Sequence, residues 1–261
     1  MEKLAIIIPA YNEEKRIGKT LERYCKFFNR LKLESNLEYE IIVVLNACKD
    51  KTLEVVKKYQ REFKEITYLN FKRGGKGFAV IEGFKDALKR ENNFIGFVDA
   101  DLATKPESFY DLFKKIEKNS GIIASRWNKK SVVIEKKSFI RKIYSWGFNF
   151  LVRSILLLNY SDTQCGAKLF KREAVEKVVN DLGITDWAFD IDLLYKMKRK
   201  NLKVIEIPTM WEDKAGSKVN LIAPLKMFSA IIRLRIIYSP FNFIISAYDK
   251  LPEKIKFHNW K

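Results

Sequence analysis

The sequence predicts an α/β fold in which a mostly parallel sheet is flanked by helices. Short apolar runs of strand length alternate with amphipathic stretches of helix length, as in successive βα units. One run, residues 39–45, is rich in β-branched residues and is typical of a strand that a parallel sheet buries on both faces. Another run, residues 94–98, stops at Asp99 and Asp101, which places two acids at the carboxyl edge of the sheet, where open α/β folds bind ligands.

The predicted elements follow one another in a regular order. The first strand is bounded by Pro9, and a polar turn leads from it into the first helix. The predicted strands cover residues 3–8, 39–45, 66–71, 94–98, 121–125, 167–171 and 203–210. The predicted helices cover residues 16–28, 52–63, 78–90 and 106–118, and a further helix begins near Asp190. Residues 211–218, after the last strand, are predicted to form a loop too polar to belong to the core.

A glycine-rich segment, residues 73–77, precedes the third helix. Glycines before a helix start expose backbone N–H groups that can hold phosphate, and Lys76 adds a positive charge there. The spacing matches neither a P-loop nor a dinucleotide-binding fingerprint, so a plain glycine turn feeding a helix is the alternative.

Asp99 and Asp101 lie one residue apart, so their carboxylates repel each other unless something neutralises them. A hard divalent cation with oxygen ligands, such as Mg²⁺ or Mn²⁺, suits such a pair and can bridge two phosphates. The same acids would also serve as caps of the helix that begins near Pro106, so this pattern alone leaves both interpretations open.

Length and composition fit one large domain with a full core, since the chain has 261 residues and 47% apolar content. The formal net charge of +18 predicts attraction to polyanions, which include nucleic acid, an anionic membrane surface and phosphorylated substrates. The three cysteines, Cys25, Cys48 and Cys165, lie far apart without metal-site spacing. We therefore expect a reduced cytosolic chain without disulfides.

The chain has a single histidine, His258, close to its carboxyl end. We therefore do not expect Ser-His-Asp chemistry, a histidine general base or a His-rich zinc site. The candidate functional side chains are carboxylates, lysines and arginines. The only apolar run near the amino terminus, residues 4–8, is too short for the core of a signal peptide, so we expect no secretion signal.

Two long apolar segments, residues 140–158 and 221–248, are interrupted by basic residues. Arginines in the middle of a segment cost too much for a simple membrane-spanning helix, so we expect helices that lie on or near a membrane interface. In residues 221–237, for example, Lys226 and Arg233 share one helical face and Ile232 and Ile236 lie on the opposite side. A buried amphipathic helix explains residues 140–158 equally well.

Six segments, taken in chain order, carry a family resemblance. They are residues 9–14 (PAYNEE), 75–79 (GKGFA), 99–105 (DADLATK), 162–170 (DTQCGAKLF), 187–195 (WAFDIDLLY) and 216–218 (GSK). With them the chain resembles the family 2 inverting glycosyltransferases, most closely the dolichyl-phosphate β-glucosyltransferases, near relatives of the dolichyl-phosphate mannose synthases. The resemblance implies a GT-A fold, a nucleotide-sugar donor and Mg²⁺ or Mn²⁺. It implies a catalytic domain over residues 1–210, including an amphipathic helix near 138–158, and an acceptor loop with membrane-interface helices over 211–261.

The resemblance also implies a donor site. Pro9, Tyr11 and Glu13 would line the nucleoside pocket. Asp99 would contact the nucleotide, and Asp101, with Asp99 beside it, would hold the metal against the diphosphate.

Further roles come from the other matching segments. Lys76 would lie near the base or the ribose, and Gln164 would lie near the transferred sugar. Asp190 would occupy the position where many relatives keep a catalytic or acceptor-organising carboxylate. Ser217 and Lys218 would form a mobile loop that closes over donor and acceptor.

The chain departs from the family pattern at two places. Where relatives usually show two aspartates after the second strand, this chain has Leu45 and Asn46. An asparagine carbonyl can accept the N3–H of uracil but lacks the charge that suits the donors of guanine, so Asn46 favours uridine. Asp192 stands where the closest relatives have glutamate.

The expected reaction is inverting transfer of a hexose, glucose, from UDP-glucose to a polyprenyl or dolichyl phosphate. A phosphate nucleophile needs cations rather than a strong base. Arg126, Lys168 and Lys218 are the candidates for holding the acceptor phosphate or the pyrophosphate, and each is otherwise a solvated surface charge. Alternatives are a GDP-mannose-dependent dolichyl-phosphate mannose synthase and transfer to another acceptor.

The expected partners are the nucleotide sugar, the lipid phosphate and an anionic membrane surface, with peripheral attachment at the cytoplasmic face of the cell membrane. A nucleic-acid-binding protein is a remote alternative that the charge permits. The chain has no RNP pattern, zinc spacing or helix-turn-helix signature, so we expect no nucleic-acid partner.

Overall fold

The computed structural model describes residues 1–134, 139–183, 188–212, 231–241 and 243, with side-chain surroundings omitted for residues 139–146. The chain forms two compact units. The first unit comprises Met1–Lys136 and Tyr160–Ala215, and the second comprises Lys137–Asn159 and Gly216–Lys261.

The first unit contains a seven-stranded sheet in the order β3-β2-β1-β4-β7-β5-β8 and a separate two-stranded sheet of β6 and β9, called here the mini-sheet. The strands are β1 Glu2–Ala10, β2 Leu37–Asn46, β3 Ile66–Phe71, β4 Phe94–Phe97, β5 Gly121–Ser125, β6 Val132–Ile134, β7 Lys168–Lys171, β8 Val204–Pro208 and β9 Met210–Glu212. Strand β7 runs antiparallel to both its neighbours, β4 and β5, whereas the other pairs in the large sheet are parallel. The predicted mostly parallel sheet is therefore confirmed.

Seven α-helices are interspersed with the strands along the described part of the chain. They are α1 Ile17–Glu34, α2 Thr52–Glu62, α3 Lys76–Ala87, α4 Pro106–Lys115, α5 Phe139–Leu156, α6 Arg172–Val178 and α7 Phe189–Arg199. Helix α5 belongs to the second unit and the other six helices belong to the first. Helix α4 begins with Pro106 in its first turn, where the missing N–H costs nothing.

The core lies on both faces of β1, which pairs with β2 on one side and with β4 on the other. Side chains alternate along a strand, so Leu4, Ile6 and Ile8 share one face and pack into the cluster that includes Tyr24 of α1. Ile7 points the other way, against α3. A Cβ added at Gly83 of α3 would lie 2.6 Å from Ile7 Cγ2, so the glycine lets the helix lie directly on the strand.

The loops that leave the carboxyl edge of this sheet have unusual backbone conformations. Asn12 follows β1, Ala47 follows β2 and Leu102 follows β4, with φ angles of 54°, 54° and 62°. Gly75, before α3, has φ 116°. Positive φ is uncommon outside glycine, and residues held there concentrate at functional sites. The carboxyl edge of the sheet is therefore the place to look for a functional site.

The second unit contains α5 and a helical stretch over residues 231–237. Along the part of α5 whose side chains are described, Asn149, Val152 and Leu156 are buried and Arg153 is exposed. The half-buried side chains on the neighbouring face are those of Phe148, Leu151 and Ile155. Among the described residues, no helix combines the length and apolar character that crossing a bilayer requires.

In residues 231–237 the buried side chains are Ile231 and Leu234. Ile232, which was predicted on the apolar face, is exposed, and Arg233 is half-buried. The predicted assignment of residues 211–261 to an acceptor loop and interface helices stays a prediction, since most of that segment lies outside the described residues.

Three short elements escaped the sequence prediction, namely β6, β9 and α6. Strands of three residues are too short to show an alternating pattern. The prediction of a polar loop from residue 211 onward is wrong at its start, because Trp211 lies in β9 and is buried. Its indole packs against the Arg126 guanidinium, with the Arg126 Cζ 5.3 Å from the ring centroid.

Candidate active site

Asp101 lies in the loop that follows β4, at the carboxyl edge of the sheet. One carboxylate oxygen, Oδ1, accepts the N–H of Ala103 at 3.0 Å, and the other lies 3.9 Å from Arg16 Nη1. Burial and the neighbouring charge of Asp99 raise the pKa of Asp101 above its usual value. The carboxylate is therefore held where a cation would relieve repulsion.

Asp99 lies at the centre of the site. Its Oδ1 is 2.7 Å from Lys76 Nζ, the first residue of α3. Burial acts to raise the pKa of Asp99, but the charges of Lys76, Lys168 and Arg126 outweigh it, so the pKa lies below its usual value. Asp99 is therefore an ionised carboxylate at neutral pH.

Gly166 makes room for the Asp99 carboxylate. A Cβ added at Gly166 would lie 1.8 Å from Asp99 Oδ2, a distance no side chain can tolerate. The loop that enters β7 therefore approaches Asp99 through bare backbone, and the glycine of the Asp162–Phe170 segment has a steric role here.

Two lysines and two aspartates form a connected group, called here the lysine–aspartate network: Lys76, Asp99, Lys168 and Asp190. Lys168 Nζ lies 2.5 Å from Asp190 Oδ1, and Lys76 Nζ lies 3.8 Å from Asp190 Oδ2. Burial opposes the charge of Lys76, but Asp99 and Asp190 outweigh it and raise its pKa. Lys76 thus lies between Asp99 and Asp190 and connects the two acids.

Lys168 is fully buried. Its Nζ donates to the Cys165 carbonyl at 2.6 Å as well as to Asp190, and it lies 5.3 Å from the centroid of the Phe97 ring. The predicted contact between Lys168 and an acceptor phosphate stays a prediction. In this structure the lysine holds Asp190.

Arg126 and Asp162 form a two-pronged ion pair beside the network. Arg126 Nε donates to Asp162 Oδ2 at 2.7 Å and Nη2 donates to Oδ1 at 2.9 Å. Burial acts to raise the pKa of Asp162, but Arg126 outweighs it and lowers the pKa. Glu206 accepts the Asp162 N–H at 2.8 Å, and Gln164, which is half-buried, donates its own N–H to Asp162 Oδ1 at 3.3 Å. The Arg126 side chain is 20% exposed, so it remains a candidate phosphate ligand.

The predicted nucleoside pocket begins at the end of β1. Pro9 is buried within that strand, and Tyr11, the next side chain but one, is exposed. Glu13 is fixed from both sides, since Arg16 Nε donates to its Oε2 at 2.6 Å and its own N–H donates to Thr52 Oγ1 at 2.8 Å. Burial raises the pKa of Glu13, although Arg16 opposes the shift.

Asn46 ties two loops of this edge together. Its Nδ2 donates to the Ala10 carbonyl at 2.9 Å, and its Oδ1 accepts the N–H of Gly75 at 3.2 Å. The residue is 3% exposed. The Asn46 amide thus holds the end of β1 with its nitrogen and the glycine loop with its oxygen. The base contact predicted for Asn46 stays a prediction.

Asp99 and Asp101 fit a divalent cation that a diphosphate shares. Within the described ranges no group of three or more His, Cys, Asp or Glu side chains could hold a metal ion. Mg²⁺ in phosphate sites is commonly held by one or two carboxylates plus substrate oxygens and water, so two acids suffice. Burial first, and then the charge of Asp99, raise the pKa of Asp101, and a bound cation would oppose that shift.

Some predicted residues could not be placed, and some contributors were missed. Ser217, Lys218 and Trp187 lie outside the described residues. Arg16 and Thr52, which hold the loop after β1, were not predicted, because a basic residue and a threonine at helix starts are too common to stand out.

Comparison with known proteins gives consistent matches. The profile of glycosyl transferase family 2 matches residues 5–179. The dolichyl-phosphate beta-glucosyltransferase of Dictyostelium discoideum is 35% identical over 246 residues, which cover 90% of this chain and 74% of that protein. The Homo sapiens dolichyl-phosphate beta-glucosyltransferase is 34% identical over 235 residues, covering 84% of this chain and 70% of that protein.

Among solved structures, glucosyl-3-phosphoglycerate synthase from Mycobacterium tuberculosis is similar in fold. Its complex with Mn²⁺, uridine diphosphate and glucosyl-3-phosphoglycerate superposes with a TM-score of 0.65 at 15% sequence identity. The match covers 90% of this chain and 79% of that one. At this identity the likeness concerns the fold alone.

Proposed function

The chain belongs to glycosyl transferase family 2, and we propose that it transfers glucose from UDP-glucose to the phosphate of dolichol or a related polyprenol. It is a glycosyltransferase with the GT-A fold, as its sequence predicts. The observation that supports this reaction most is the lysine–aspartate network, in which Lys76 Nζ lies 2.7 Å from Asp99 and 3.8 Å from Asp190. A group that contacts both acids links the donor side to the acceptor side.

In the proposed reaction an oxygen of the lipid phosphate attacks the anomeric carbon of the bound sugar. A new carbon–oxygen bond forms on one face while the bond to the nucleoside diphosphate breaks on the other, so the configuration inverts. The products are the lipid-phosphate-linked sugar and the nucleoside diphosphate. Since an ionised phosphate is already a nucleophile, the site needs no strong base.

The leaving diphosphate carries the developing negative charge. Asp101, with Asp99 beside it, would hold Mg²⁺ or Mn²⁺, which when bound offsets that charge. Asp99 is kept ionised by Lys76, which supports its use as a ligand oxygen at neutral pH. On the nucleoside side, Glu13 and Asn46 hold the loops that would receive the base and ribose.

The acceptor side of the proposal rests on Asp190 and Arg126. Asp190 is buried and its carboxylate is fixed by Lys168. A fixed carboxylate suits the role of orienting the acceptor or neighbouring cations. Arg126 is planar and permanently charged, and because Asp162 engages its Nε and Nη2, its Nη1 would be the nitrogen that meets a phosphate. Gln164 follows in the same loop, within reach of the transferred sugar in this proposal.

We further propose that the protein works as a peripheral protein at the cytoplasmic face of a membrane. The named acceptor of its relatives is a lipid phosphate, and the net charge of +18 favours an anionic surface. No nucleic-acid partner enters this proposal.

The test is a transfer assay with purified protein, a short polyprenyl phosphate and labelled donors. We expect label from UDP-glucose to enter the lipid, and we expect EDTA to abolish transfer and added Mg²⁺ or Mn²⁺ to restore it. Transfer from GDP-mannose alone would overturn the donor while leaving the reaction. Binding of UDP-sugars without transfer to any lipid phosphate would overturn the acceptor.

A further inference from the structure

The mini-sheet has an apolar side that faces outward. Val132 pairs with Met210 in the parallel ladder, and Ile134, two residues on, shares the same face. Val132 is 52% exposed, Ile134 54% and Met210 44%. Glu212, opposite Ile134, also lies on this face. A two-stranded sheet normally turns polar side chains to water, so three exposed apolar side chains on one face need a partner.

The opposite side of the mini-sheet is already occupied. Val133 pairs with Trp211, which is buried and stacks on the Arg126 guanidinium. The mini-sheet is also bonded to the loop after Asp101, because the Glu212 N–H donates to the Ala103 carbonyl at 3.1 Å. Whatever covers the outward face is therefore held next to the candidate active site.

The turn that leads into β6 adds the charges and the aromatic ring of a membrane-binding surface. Lys129 and Lys130 are exposed, and Trp127 is partly exposed. Tryptophan prefers the boundary between headgroups and acyl chains, and lysines close to an anionic surface each strengthen binding about fivefold. This combination of apolar, aromatic and basic side chains complements an anionic bilayer.

We propose that the outward face of the mini-sheet, Val132, Ile134 and Met210, rests on the interface of an anionic membrane, with Lys129 and Lys130 contacting the headgroups. The inference rests on the proposed lipid-phosphate acceptor only for the benefit of docking, which is that it keeps the Arg126 side of the site close to the lipid. Binding itself does not depend on catalysis, so the two proposals can fail separately.

The experiment measures co-sedimentation of the full chain with vesicles. One vesicle population contains equal parts of phosphatidylcholine and phosphatidylserine, and the other contains phosphatidylcholine alone. The double variant Val132→Ser/Met210→Ser should bind the mixed vesicles at least about threefold more weakly, since two half-exposed apolar side chains lose their burial. Leu33→Ser, at an exposed position on α1, is the matched control and should bind as the unchanged protein does.

A second pair of variants tests the charges. Lys129→Glu/Lys130→Glu should weaken binding to the mixed vesicles at least about tenfold and leave binding to pure phosphatidylcholine nearly unchanged. Lys57→Glu/Lys58→Glu, on the exposed side of α2, changes the net charge equally and should weaken binding much less. Circular dichroism confirms that each variant is folded.

The outcomes separate the two proposals. If the variants at the mini-sheet bind vesicles as well as their controls do, the docking face is wrong, whether or not the protein transfers sugar. If wild-type protein transfers no sugar but the variants lose binding as described, the docking face stands and the proposed reaction fails. If the variants change the mass of the protein in solution without changing vesicle binding, the face joins two copies of the chain and the inference is overturned.

Discussion

Lys168 Nζ and Asp190 Oδ1 lie 2.5 Å apart, and both side chains are buried. The lysine begins β7 and the aspartate lies in the first turn of α7, so this ion pair fastens the helix to the antiparallel strand. Removing one partner of a buried ion pair leaves the charge of the other less well compensated, which typically lowers the free energy of unfolding by about 3–5 kcal/mol.

The first prediction concerns this pair. Lys168→Met should lower the free energy of unfolding by about 3–5 kcal/mol, because the buried Asp190 loses its nearest cation and keeps only Lys76, whose Nζ is 3.8 Å away. Urea denaturation followed by circular dichroism measures this. Lys168→Met/Asp190→Asn should recover part of the loss, and Lys200→Met, which breaks an exposed pair with Asp181, should change little. Equal losses for Lys168→Met and Lys200→Met would contradict the buried pair.

The second prediction concerns Gly166. Gly166→Ala should reduce transfer activity at least about tenfold, because the new Cβ must displace the Asp99 carboxylate, and shifts of about 1 Å at a site can cost about a hundredfold. Steady-state rates at saturating donor measure the effect. Gly147→Ala is the control, since a Cβ there meets no atom within 4 Å. An unchanged rate for Gly166→Ala would mean that Asp99 has room to move.

The third prediction concerns Asp101 and the cation. Asp101→Asn should weaken Mn²⁺-dependent binding of UDP at least about tenfold, because one of the two candidate ligand carboxylates loses its charge. Calorimetric titration of UDP with and without Mn²⁺ measures this without any acceptor. Asp111→Asn, at a half-buried position on α4 away from the candidate site, should bind as wild type does. Metal-dependent affinity that survives Asp101→Asn would place the ion elsewhere.

The fourth prediction concerns the cysteines, all of which are free thiols. Burial raises the pKa of Cys25 to about 12 and the pKa of Cys165 to about 11. Because the thiolate is the reactive form, both should stay unmodified by iodoacetamide at pH 8, while the half-buried Cys48 should react. Mass spectrometry of the native protein should find one label, and three after unfolding. Early labelling of Cys165 would show that the loop before β7 opens.

The fifth prediction concerns Asn46. Asn46→Asp should destabilise the protein by about 1–3 kcal/mol, because a carboxylate cannot donate to the Ala10 carbonyl and is left buried beside it. Thermal unfolding measures the loss. Asn70→Asp, at an exposed position on β3, is the control. Matching stabilities for the two variants would show that the tie between the loops contributes little.

The order of the longer strands and helices in the first unit could be predicted from the sequence, because each of them carries a full hydrophobic period, unlike the short elements β6, β9 and α6. Residues 39–45 and 66–71 lie within or match the strands β2 and β3. The direction of β7 could not be predicted. Its four residues, which are apolar and basic, are equally compatible with a parallel and an antiparallel strand. Its antiparallel direction is defined only by its pairing with β4 and β5.

The sequence indicates the residues of the candidate site but only part of their arrangement. Acids after a buried strand mark the sheet edge, so Asp99 and Asp101 could be placed there from the sequence, while their position alone left helix capping as an alternative. The burial of Lys168 leaves no local mark, because a lysine in a strand is normally solvated. That Asn46 is engaged at both ends likewise depends on the loops that happen to meet it.

The antiparallel strand β7 also bears on the order in which the protein folds. Phe97 pairs with Lys168, so the network closes only when chain segments about seventy residues apart meet, with the second-unit residues 137–159 lying between them in sequence. Strands β1, β2 and β3 have partners only about 25–35 residues away along the chain and can pair first. We therefore expect a folding intermediate, or a chain still emerging from the ribosome, to contain the nucleotide-side loops before it has any capacity for catalysis.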